Sequence, residues 1–115
     1  MFSKKNIRDI SIEETPHALG SRKLIVSKND TTSSFFEALT YGYLPANEKW
    51  TFHKHINIVE ICIVIKGNGL VKNAEGKSEK FEPGDRLIFP SDTEHEIQNT
   101  STETAEFYFF RLQNK

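Results

Sequence analysis

Two histidines stand one residue apart at His53 and His55, a glutamate follows at Glu60, and a third histidine comes much later at His95. Imidazole and carboxylate are the side chains from which sites for borderline divalent metals are built. Three neutral nitrogens and one carboxylate oxygen would leave one or two positions open on a five- or six-coordinate ion. A substrate-binding or catalytic centre needs such openings, whereas a closed structural zinc site more often uses thiolates. The expected cofactor is one divalent transition metal. Iron, manganese, zinc, nickel, cobalt and copper all suit the donor set, and affinity order alone does not choose among them. The competing reading is a degenerate site whose histidines and glutamate merely satisfy one another.

Side chains this scattered need a scaffold that gathers them. Residues 50–55 read as strand, and alternation along β structure would point His53 and His55 to one face. Glu60 follows His55 at an odd offset, so the two converge only if the chain bends between them, at Ile56-Asn57. Residues 58–65 form the most apolar run, with Glu60 sharing a face with Cys62 and Val64. Ile61, Ile63 and Ile65 take the other face and need cover, from an N-terminal arm or from a second subunit. In residues 95–99, His95, Ile97 and Asn99 face inward while Glu94, Glu96 and Gln98 face solvent.

The remaining chain is built the same way. Short strands are expected at residues 22–27, 35–44, 70–73, 77–81, 86–89 and 104–112. Turn formers separate them, notably in residues 28–34, 45–48, 67–69, 74–76, 83–85 and 90–93. Such spacing with almost no helical periodicity predicts an all-β sandwich or barrel. No repeat or linker interrupts it, so residues 1–115 are read as a single domain, with residues 1–20 as an arm. His17 reads as an exposed loop residue on that arm, and Arg22 and Arg86 read as surface ion-pair residues.

Composition narrows the partners. With 15 basic against 16 acidic residues the formal net charge is −1, which gives no sign of a nucleic-acid or anionic-membrane partner. Cys62 is the single cysteine, flanked by isoleucines, and reads as a small buried hydrophobe, so no intrachain disulfide is expected. The charged N-terminal segment lacks the apolar core of a signal peptide, and no run reaches membrane-spanning length. A cytoplasmic location is the expectation.

The spacing resembles that of the cupin superfamily. His53-Lys54-His55, Glu60 and Gly67 match the first cupin motif, and Gly84, Pro90, His95 and Asn99 match the second. Asn47 and Asp92 stand where that pattern has glycine, and these two residue types best tolerate left-handed backbone. The motifs lie within residues 47–99. The resemblance implies a small double-stranded β-helix (jelly-roll) barrel, a metal held by His53, His55, Glu60 and His95, and a homodimer. It implies no one reaction. A small oxygen-rich substrate such as a sugar, uronate or keto acid would suit the open site, with isomerase, lyase or dioxygenase chemistry. A non-catalytic sugar-binding module and an interaction subunit are the alternatives. Tyr43, Cys62, Phe89, Phe107 and Phe109 are candidates to line the substrate cavity, against the plainer reading that they are packing.

Overall fold

The computed structural model describes residues 2–14 and 20–114; His17 falls outside them. Ten strands follow in order: β1 Glu13–Glu14, β2 Ser21–Ser27, β3 Phe36–Leu44, β4 Lys49–His53, β5 Ile58–Lys66, β6 Gly69–Asn73, β7 Ser78–Phe81, β8 Arg86–Phe89, β9 His95–Asn99 and β10 Ala105–Gln113. Single 3-10 turns at Ile7–Asp9 and Lys28–Asp30 are the helical elements among the described residues. The expected all-β jelly roll is therefore what the chain adopts. Its strands pair antiparallel in two sheets, ordered β1-β2-β3-β10-β5-β8 and β4-β9-β6-β7.

The inner faces of the sheets meet in one apolar core of Leu44, Trp50, Cys62, Val64, Phe81, Phe89, Ile97, Ala105, Phe107 and Phe109. Alternation builds it: on β5 the buried residues are Glu60, Cys62 and Val64, and on β10 they are Ala105, Phe107 and Phe109. Trp50 packs on Phe107 and Phe109, each with ring centroids 5.6 Å away. Gly42 makes room for this, because a Cβ there would lie 2.9 Å from the Phe109 ring and 3.3 Å from the Trp50 ring.

The rows of cross-strand neighbours decide where polar groups can sit. Ala38, Arg111, Glu60 and Phe89 form one row across β3, β10, β5 and β8, and Thr40, Phe109, Cys62 and Leu87 form the next. The first row holds the charged pair of Glu60 and Arg111, and Phe109, Cys62 and Leu87 lie in the row beneath it. At the opposite end Asn99 closes the fold. Its Nδ2 donates to the carbonyls of Leu44, Pro45 and Glu103, and its Oδ1 accepts from the Ser101 backbone and hydroxyl.

Two expectations are corrected. The strand expected to reach His55 ends at His53, leaving His55 in the following turn. Glu96, read as solvent-facing, is 5% exposed. It lies on the outer face of an inner strand, with Lys72 as its cross-strand neighbour and Lys49 Nζ 3.9 Å away. Within the arm, β1 extends the far edge of the sheet, pairing Glu13 with Arg22. Ile61 and Ile63 sit beside Phe110 and Tyr108 on the outer face, and Ile65 is 42% exposed. Among the described residues no helix is long and apolar enough to cross a membrane.

The Asn99 clamp yields a test. Asn99→Ala leaves several buried carbonyls without donors, and unfolding in urea is expected to show a loss of about 2–4 kcal/mol. An unchanged midpoint would mean that solvent replaces the clamp at no cost.

Candidate metal centre

His53 closes β4 through an irregularity. Trp50 pairs with Ile97 and His53 with His95, so three residues of β4 span two of β9. One extra residue is a β-bulge, and it turns Trp50 and His53 to the same side despite their odd spacing. Phe52, displaced outward, is 44% exposed. The His53 Nδ1 lies 2.7 Å from the Thr51 carbonyl. A carbonyl only accepts, so Nδ1 carries the proton, and in the neutral ring Nε2 holds the free lone pair.

His55 reaches the site by the bend expected at Ile56-Asn57. Asn57 takes a left-handed φ of 55°, and the following strand brings in Glu60. Asp92 fastens this turn to the loop before His95. Its backbone N–H donates to the His55 carbonyl at 3.0 Å, and its carboxylate accepts from the Asn57 N–H at 3.2 Å. Asn47 and Asp92, the two glycine replacements, have φ of 61° and 62°, as their residue types allow.

One ring nitrogen from each of His53, His55 and His95 lies within 4.8 Å of the others. Glu60, 2% exposed, stands beside them, with its Oε2 3.4 Å from His55 Nε2 and its Oε1 3.7 Å from His95 Nε2. The first contact is off-axis and the second too long, so neither is a hydrogen bond; His55 Nε2 and both nitrogens of His95 are buried without a partner. Glu60 does have one firm bond, from Arg111 Nε at 2.8 Å. Phe89 stacks on His95, with centroids 3.8 Å apart and planes 11° apart, fixing that ring.

Burial keeps the imidazoles neutral. It lowers the His55 pKa, with Glu60 opposing and Arg111 and His53 adding to the shift. It pushes His95 from 6.5 down to about 4, with His53 and His55 adding and Glu60 and the Thr93 backbone opposing. Burial also raises the Cys62 thiol, helped by the Glu60 charge, so Cys62 stays protonated. Neutral, buried rings around a carboxylate fit a divalent cation chemically, because each presents one lone-pair nitrogen that needs a Lewis acid or a proton, and burial disfavours the proton.

The other cavity candidates separate. Phe89 lies in the row of Glu60 and lines the cleft, and Cys62 and Phe109 lie one row deeper, in the core. Phe107 is fully buried between Trp50, Phe81 and Phe109 and belongs to the core. Tyr43 points to the outer face beside Tyr41 and does not join the histidines. Arg22 pairs with Glu13 at 2.8 Å on the surface. Arg86 borders an open cleft of about 670 Å³ with Lys54, Lys72, Leu87 and Phe89, and the cleft reaches His95. The reading of the sequence passed over Arg111. The alternation of β10 carries the signal, since Ala105, Phe107 and Phe109 set the inward parity and Arg111 continues it opposite Glu60.

Two antiparallel sheets with a histidine cluster at one end define a small jelly-roll protein with a potential metal pocket. A family model for the cupin domain matches residues 41–111, and the chain belongs to the cupin family. Among solved structures it is similar to a predicted oxalate decarboxylase from Thermotoga maritima, at 22% identity and TM-score 0.83 over 94% of this chain and 96% of that one. The polyketide cyclase RemF from Streptomyces resistomycificus aligns at 18% identity and TM-score 0.80, covering 100% of this chain and 81% of that one. Ectoine synthase from P. lautus aligns at 17% identity and TM-score 0.80, covering 96% and 77%. At these identities the likeness is one of fold. Comparison with curated proteins finds no matching sequence.

The His95 shift sets a pH dependence. The unfolded ring takes up its proton near 6.5 and the folded one only near 4. Metal-free protein is thus expected to lose stability as pH falls through that window, the unfolded state binding more protons there. Thermal unfolding with a chelator present, compared between wild type and His95→Gln, checks this: the variant should show the shallower slope, and equal slopes would assign the effect elsewhere.

Proposed function

We propose that the chain is a divalent-metal cupin enzyme acting on a small oxygen-rich molecule, a sugar, uronate or keto acid, by isomerase, lyase or dioxygenase-type chemistry. His53, His55, Glu60 and His95 are the proposed ligands. The observation that carries the reading is the set of buried imidazole nitrogens on His55 and His95 that bond to nothing in the protein. Such groups cost about 1–3 kcal/mol each when left unsatisfied, and one cation shared with Glu60 would satisfy one nitrogen of each ring.

A bound ion would supply Lewis-acid polarisation of a carbonyl or enolate oxygen. The protein does the rest. The Thr51 carbonyl holds His53 in the tautomer that presents Nε2. Phe89 holds the plane of His95, and the Asp92 cross-tie holds the turn carrying His55. Arg111 anchors the Glu60 carboxylate, while Cys62, Phe109 and Trp50 beneath it keep water from the inner side. Groups oriented in this way lose little freedom on binding.

Protein purified anaerobically and reconstituted is expected to hold close to one transition-metal ion per chain by elemental analysis. His53→Ala and His95→Ala are expected to lower metal affinity at least about tenfold, the scale of loss seen when a metal site is disturbed. A wild type that retains no metal under these conditions overturns the proposal.

A further inference from the structure

We propose that Arg111 is the residue that selects the substrate, and that it selects a carboxylate. The inference rests on the reading of this pocket as the reaction site and adds the substrate's charge to it. A guanidinium presents its donors along two edges and commonly grips a carboxylate through a paired fork. Arg111 does not use the fork on Glu60: its Nε alone donates, at 2.8 Å. The terminal nitrogens Nη1 and Nη2 bond to no described residue, so the edge they form is open to a second planar anion.

The surroundings keep that edge open. The Arg111 side chain is 29% exposed whereas that of Glu60 is 3% exposed, so the guanidinium spans from the buried carboxylate to the accessible mouth. Its neighbour across β3 is Ala38, which brings neither bulk nor charge. The nearest carboxylate along that strand, Glu37, is engaged elsewhere, accepting from Gln113 Nε2 at 2.7 Å with Lys28 Nζ 3.8 Å away. Charge points the same way. The Glu60 and Arg111 charges offset one another and imidazole binds a metal as a neutral ring, so a divalent ion would leave the pocket positive and favour an anionic ligand. One carboxylate could then lie on Arg111 while another oxygen of the same molecule faced the histidines.

The test compares matched probes, D-glucuronate with D-glucose and pyruvate with hydroxyacetone, by thermal shift and titration calorimetry, on metal-free and metal-loaded protein. Wild type is expected to favour at least one carboxylate over its uncharged counterpart by about tenfold or more. Arg111→Gln should abolish that preference, and Arg111→Lys, which keeps the charge but not the fork, should retain part of it. Arg86→Gln separates this residue from general positive charge: it removes a cation that borders the neighbouring cleft but leaves Arg111, so the preference should persist. Equal affinity for charged and uncharged probes, no binding of either carboxylate, or a preference surviving in Arg111→Gln overturns the proposal. So does its loss in Arg86→Gln to the same degree as in Arg111→Gln. Metal content measured on the same samples shows separately whether the metal reading stands.

Discussion

The buried carboxylate of Glu60 is the constraint around which this structure is arranged. An ionised group at 2% exposure is costly unless charge and hydrogen bonds surround it. The sheet provides them through register: Glu60 on β5 lies directly opposite Arg111 on β10 and Phe89 on β8. The facing sheet contributes His53 and His95 as a cross-strand pair. Glu60, Arg111, His53 and His95 therefore meet in one layer, which His55 joins from the turn after β4. Two residues further along β5, β10 and β8, and three along the bulged β4, the layer becomes Cys62, Phe109, Leu87 and Trp50, and the core begins. The same alternation makes the site polar and the core dry.

Local backbone irregularities complete what regular strands cannot. The bulge in β4 brings His53 inward, and left-handed Asn57 lets His55 and Glu60 converge across an odd spacing. Positive φ at a residue other than glycine carries a conformational cost. Here hydrogen bonds hold it in place: Asp92, itself left-handed, joins the His55 turn to the His95 loop, and the Asn114 N–H donates to the Asn57 carbonyl at 2.7 Å. These loops carry His55 and lead into His95, yet they are tied to one another. A site whose groups are held before the ligand arrives spends less of its binding energy on ordering them.

Much of this arrangement was legible in the residues. Alternation placed Glu60 with Cys62 and Val64 and put His95, Ile97 and Asn99 inside, and the odd offset from His55 to Glu60 located the bend at Asn57. What escaped had two physical causes. A bulge breaks the period of two without a sequence mark of its own, so the common face of His53 and His55 was attributed to a strand that ends too early. Long-range register is not written in any one strand, so the pairing of Arg111 with Glu60, 51 residues apart, emerges only when β10 is laid beside β5. Tyr43 was drawn toward the cavity by its aromatic type, while its parity on β3 places it outside. Glu96 followed parity correctly but sits on a strand flanked on both sides, where facing outward does not mean exposed.

The central claim is that three imidazoles and one carboxylate, gathered from β4, its following turn, β5 and β9, hold a single divalent ion. X-ray absorption and electronic spectra of cobalt-loaded protein read the donor set directly. The account predicts a shell containing three imidazole nitrogens and a carboxylate oxygen. A shell made only of oxygen donors and water, with no imidazole scattering, would contradict it.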